Sequence, residues 1–106
     1  MTAKGTENIV DFAYLESFTA GDRAVILEVL ALFRQQAALW APRLDASHAD
    51  WPDLVHTIKG AARGVGANSL GDLCARAEAE GPFALPAVKA GLAAVVAEIT
   101  AYEARA

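Results

Sequence analysis

One cysteine, Cys74, is the whole thiol content of the sequence. It excludes an intramolecular disulfide and a paired-cysteine zinc site, and it fits a reducing compartment. Basic residues are scarce too. Nine Lys and Arg against thirteen Asp and Glu leave a net charge of −4. So acidic a chain is poorly suited to gripping nucleic acid through its phosphates, and its expected partners are proteins. Aromatics make up only 8% of the residues. No stretch reaches the ~18 uninterrupted apolar residues of a membrane span. The N-terminus, MTAKGTENIVDF, lacks the apolar core of a signal peptide. These absences predict a soluble cytoplasmic protein that engages no membrane. Clean period-two alternation is missing as well, so no strand is expected.

What is present is helix-forming. Hydrophobic residues are 55% of a 106-residue chain, enough for one domain with its own core. Residues 1 to 8 are polar and read as a flexible N-terminus, with the domain spanning 9 to 106. A short helix is expected over Ile9 to Phe18, burying Ile9, Phe12, Leu15 and Phe18. Thr19, with Asp22 three positions on, looks like the N-cap of a second helix over Ala20 to Leu44. In that helix Ile26, Leu30, Phe33, Ala37, Trp40 and Leu44 recur at steps of four and three, the seam of a helix bundle. Val25, Val29 and Leu32 widen the stripe and could receive the first helix. Pro42 ends or kinks the segment.

A third helix should start at Asp50, as N-cap, with Pro52 in its first turn, and run to Val65 before Gly66 stops it. Ser69 with Asp72 suggests a new N-terminus and a fourth helix over Leu70 to Glu80, with Leu70, Leu73, Cys74 and Ala77 inward. Gly81-Pro82 breaks the chain. The last helix, Leu85 to Glu103, carries Val88, Leu92, Val95, Val96, Ile99 and Tyr102 on one side. The predicted fold is all-α: an antiparallel four-helix bundle with a short extra N-terminal helix.

Residues 56 to 67, HTIKGAARGVGA, stand out. Glycine inside a helix costs about 1 kcal/mol relative to alanine, yet three glycines fall here beside His56, Lys59 and Arg63. At about 100° per residue, with His56 at zero, Leu54, Ile58, Ala61 and Val65 fall between about 140° and 200°. Lys59, Gly60 and Arg63 fall within roughly 60° of His56. The histidine therefore points away from the core, beside two cations and over a position with no side chain. A neutral imidazole has a free lone pair and is a competent nucleophile toward phosphorus. Gly60 lowers a wall beside it, and Lys59 and Arg63 could neutralise an anion held there.

His56-Thr57-Ile58-Lys59-Gly60, followed by Val65-Gly66-Ala67, resembles the H-x-[LI]-K-G-x4-[VLI]-G-A signature of histidine-containing phosphotransfer (HPt) domains. The resemblance extends to Leu70, Leu73-Cys74 and Ala77-Glu78, and to the helical layout of nearly the whole chain. It implies that His56 is the phosphoacceptor, that Lys59 lies beside the phosphoryl group and that Gly60 leaves room for the partner. Arg63 is assigned an assisting role only. The family often has serine where this chain has Ala61, a position turned toward the core. The implied partners are receiver domains of response regulators or hybrid kinases, which supply the aspartyl phosphate and bind Mg²⁺. The chain itself needs no cofactor and, lacking a Gly-rich ATP loop, is a phosphocarrier rather than a kinase.

Two other readings fit the same residues: an adaptor bundle with an inert histidine, and a dimeric histidine phosphotransferase, against which a monomer is expected. Of the remaining residues, His48 reads as a loop surface residue and Cys74 as a small buried hydrophobe. Trp40 and Trp51 read as packing anchors at one end of the bundle. Glu78, Glu80, Glu98 and Glu103 read as a solvated face, and no ligand spacing supports a metal site.

Overall fold

The computed structural model describes residues 9–106; the predicted flexible segment 1–8 lies outside them. The described chain is helical, with α1 Phe12–Phe18, α2 Arg23–Trp40, α3 Trp51–Gly64, α4 Asn68–Glu80 and α5 Leu85–Arg105. The four longer helices are joined by short connections. α4 packs against both α3 and α5, and α5 packs against α2.

The seam read along α2 holds: Ile26, Leu30, Phe33, Ala37, Trp40 and Leu44 are all buried. The helix is shorter than expected. It starts after Asp22, whose carboxylate accepts from the Val25 N–H at 3.2 Å. It ends at Trp40 and tightens into a 3-10 turn, Ala41–Arg43, around Pro42. Thr19 does not cap α2. Its hydroxyl donates to the Leu15 carbonyl at 2.8 Å and closes α1 instead. Either side chain could cap by chemistry alone. Ala20 and Gly21, both at positive φ, form a left-handed corner that places the start of α2 beyond Thr19.

The first helix also begins later than expected, at Phe12, with Asp11 as its N-cap accepting from Tyr14 N–H. Val10 is fully buried, whereas Phe18 is 69% exposed. α1 meets α2, but on the flank expected to receive it only Val29 is half-buried, and Val25 and Leu32 remain exposed. It is turned toward α5, where the Phe12 ring stacks on Tyr102 with centroids 4.3 Å apart.

Along α3 the buried side is Leu54, Val55, Ile58 and Ala62, continuing to Val65, while Ala61 is only half-buried. The stripe is thus rotated by part of a turn from the expected one. Asp50 occupies the N-cap position without capping, because its carboxylate pairs with the Arg43 guanidinium. Ser69 lies inside α4, which starts one residue earlier without a side-chain cap. Gly66 terminates α3 as expected, at φ +81°. Its carbonyl accepts from the Asp11 N–H at 2.9 Å, which pins the entry of α1 to the α3–α4 corner.

The face expected to be merely solvated is partly engaged. Glu98 accepts from the Val10 N–H at 2.8 Å, and Glu103 takes a two-pronged bond from Arg34 at 3.0 and 3.2 Å. Glu80 keeps to the surface and pairs with Arg76 at 3.5 Å. Two segments, Arg23–Arg43 and Pro82–Arg105, are long and apolar enough to cross a membrane by length and composition. Ile26 and Leu30 of the first and Leu92 and Ile99 of the second are buried in the shared core, whereas Leu32, Leu39 and Phe83 stand exposed.

Ile58 is fully buried two positions after the exposed His56. Ile58→Ala is expected to cost about 2–5 kcal/mol through cavity formation, read as a lower urea midpoint with unchanged slope. A Cβ at Gly66 would lie 3.0 Å from the Asp11 carbonyl oxygen and force a left-handed backbone on the new residue. Gly66→Ala should therefore lower stability by at least ~1 kcal/mol in the same assay.

Candidate functional site

His56 sits in the second turn of α3. Val55 before it and Ile58 two positions after are both sealed in the core, so helical geometry turns the imidazole outward. Its side chain is 74% exposed. The ring is not free to spin, however. Glu78, in the last turn of α4, places Oε2 3.0 Å from His56 Nδ1. An ionised carboxylate can only accept, so Nδ1 carries the proton in the neutral ring and Nε2 keeps its lone pair.

The same carboxylate takes a second bond. Lys59 Nζ donates to Glu78 Oε1 at 2.5 Å, from a side chain only 21% exposed. Lys59 first, then His56, hold the Glu78 carboxyl below its ordinary value. The three residues form one unit: an imidazole and an ammonium bridged by a carboxylate. In this arrangement the Lys59 charge is already matched.

The structure gathers His56 and Lys59 as the sequence suggested, and leaves Gly60 open. A Cβ built at Gly60 meets nothing within 4 Å, and the same holds at Gly64. Neither glycine is required by packing among the described residues. Arg63 goes elsewhere. Its side chain lies over Gly71, where a Cβ would come within 2.9 Å of Arg63 Cγ, and its guanidinium pairs with Asp72 at 3.6 Å. It therefore flanks the far end of the α3–α4 pair from Glu78.

Glu78 is the residue that sequence reasoning missed. A signal was available. His56 and Glu78 are 22 positions apart, and the α3–α4 corner at Ala67 lies midway between them. In an antiparallel helix pair, positions equidistant from the corner face each other.

Cys74, one turn before Glu78, is buried as expected, and burial together with the Glu78 charge pushes its thiol up to about 11. It stays protonated at neutral pH and is a poor nucleophile. His48 remains exposed in the loop between α2 and α3. Trp40 is buried with its ring edge-on to Phe33, and Trp51 is half-buried against the core. Among the described residues no cluster of three or more His, Cys, Asp or Glu is placed to hold a metal ion.

Comparison with known proteins identifies the family and the fold. The Hpt domain family model matches residues 28–104. Among solved structures, the crystal structure of histidine phosphotransferase ShpA from Caulobacter crescentus superposes with a TM-score of 0.84 at 57% sequence identity. It covers 92% of this chain and 93% of that one. No curated protein sequence matches the chain. The chain belongs to the Hpt family of histidine phosphotransfer domains, which serve phosphorelays as carriers.

The depressed carboxyl gives a pH signature. A carboxylate whose folded value lies below its unfolded one stabilises the fold fully above the unfolded value and ceases to as pH falls through the folded one. The Glu78 carboxyl carbon should titrate by NMR below the ordinary glutamate range in the native protein. In Lys59→Met its midpoint should move back toward that range, because the larger of its two partners is gone. An unchanged midpoint would disconnect Lys59 from Glu78.

Proposed function

We propose that His56 accepts a phosphoryl group from a receiver-domain aspartyl phosphate and passes it to the aspartate of another receiver. The observation that carries this reading is the engaged Nδ1. Glu78 occupies one ring nitrogen and leaves the other, Nε2, presented outward from a side chain 74% exposed.

Transfer proceeds by in-line attack. The Nε2 lone pair forms a bond to phosphorus as the bond between phosphorus and the aspartyl oxygen breaks, and the electron pair leaves with the carboxylate. The ring keeps its Nδ1 proton on Glu78, so no proton has to move. The receiver's Mg²⁺ and cations carry most of the transition-state charge. This chain contributes a positioned nucleophile, the nearby Lys59 cation and an open approach over Gly60. Arg63, held by Asp72, assists only through the local potential.

The chain has no ATP site of its own in this scheme and needs no cofactor. It acts as a cytoplasmic monomer, with receiver domains as its partners. Docking uses the face around His56 together with α2, on which Val25, Leu32 and Leu39 stand exposed at seven-residue intervals. Such encounters are transient, with a small interface.

Incubation with a phosphorylated receiver should place acid-labile, alkali-stable label on the protein, and His56→Gln should carry none. Label persisting in that variant would remove His56 from the chemistry. Gly60 separates docking from stability. Gly60→Ala should stabilise the helix by up to ~1 kcal/mol, because nothing in the chain opposes a Cβ there. Gly60→Leu should raise the KM for a phosphorylated receiver while the melting temperature holds. A Leu variant that relays normally would refute the open-approach role.

A further inference from the structure

Sharing one carboxylate between His56 and Lys59 has a thermodynamic consequence for the phosphorylated protein. A lysine beside an acceptor histidine suggests a site built to stabilise the phosphoryl group. Here that ammonium is bonded to Glu78 Oε1 at 2.5 Å, and the same carboxylate holds Nδ1 at 3.0 Å. The incoming group therefore meets a neutral Lys59–Glu78 pair rather than a free cation. Attack of the neutral ring on the aspartyl phosphate leaves a ring with a positive charge shared onto Nδ1–H and a doubly negative phosphoryl group. The site gains one net negative charge beside an existing carboxylate. Lys59 has three N–H donors and can reach the phosphoryl oxygens while still bonded to Glu78, but its charge is then divided between two anions.

We propose that Glu78 is a tuning residue. By holding Lys59 and adding its own negative charge, it keeps phosphorylated His56 high in transfer potential, so that the group leaves readily for the next aspartate. This rests on the phosphorelay reading above. Among the described residues the charges around the ring are few: Asp53 and Lys59 on α3, and Glu78 and Glu80 on α4. Asp53, Glu78 and Glu80 line the hollow beside His56. Arg63 lies over Gly71 toward the other end of the helix pair, in a loose 3.6 Å ion pair with Asp72. Among the described residues Lys59 is thus the nearest cation available to the phosphoryl group, and Glu78 is the group that competes for it.

Glu78→Gln separates the two functions of the carboxylate. The amide oxygen still accepts from Nδ1–H, while the charge that restrains Lys59 is lost. The measurement is the exchange equilibrium with phosphoramidate at fixed ammonium concentration, with phosphorylated and free His56 counted by intact-protein mass spectrometry. In this exchange the phosphorus–nitrogen bond of phosphoramidate breaks as the Nε2–phosphorus bond forms, and ammonia leaves. No receiver is needed.

Glu78→Gln should shift the ratio toward phosphorylated His56 by about twofold to fivefold, the upper part of the range for one partly exposed charge contact. In a Lys59→Met background the same substitution should give a clearly smaller shift, because no lysine remains to be released. A merely structural role for Glu78 predicts lower occupancy in Glu78→Gln and no dependence on Lys59. An unshifted or reversed ratio, or an equal shift in both backgrounds, would overturn the proposal. Wild-type protein that is loaded by phosphoramidate but by no phosphorylated receiver would instead sink the phosphorelay reading, while the ratio still reports on Glu78.

Discussion

A helix can hide only one of its sides, and α3 hides the side bearing Leu54, Val55, Ile58 and Ala62. Everything at the site descends from that constraint. Val55 is the immediate neighbour of His56 and is wholly buried, so the chain cannot turn the imidazole inward without pulling a valine into water. Losing a buried aliphatic side chain to solvent costs about 1.5–3 kcal/mol. The outward histidine is held in place by the core beneath it.

The α3–α4 corner converts that orientation into a site. Gly66 takes the left-handed conformation that ends α3, and its carbonyl receives the Asp11 N–H. The corner is therefore braced by the N-terminal segment, and α4 returns in a fixed register along α3. That register delivers Glu78 to His56 and Lys59 at one end of the pair and Asp72 to Arg63 at the other. Two basic residues that a helical wheel places side by side thus acquire different carboxylates and different settings. Lys59 is largely covered beside the imidazole, whereas Arg63 lies out over Gly71.

The exposure of the glycine strip fits the same division. Gly60 and Gly64 have no neighbour within 4 Å that a side chain would strike, so the fold of this chain gives no reason for them. Gly66 and Gly71 do have such neighbours. Packing within the described chain accounts for the second pair and not for the first.

Much of this was legible from the residues alone. The seam of α2, the buried stripe of α5 and the outward face of His56, Lys59 and Gly60 follow from helical periodicity, which is a local property of the chain. Helix ends were read less well. Thr19 and Asp22 are both good caps, and the left-handed corner at Ala20–Gly21 decided between them. Glu78, Glu98 and Glu103 looked like ordinary surface charges because their partners lie 19 to 88 positions away. The sequence by itself determined that the chain is a helical bundle and that one histidine faces outward, since each depends on spacing within single helices. Only the tertiary structure decided which carboxylate that histidine meets, which ring nitrogen that contact leaves unengaged and which cation shares the carboxylate, because those contacts depend on the register between helices.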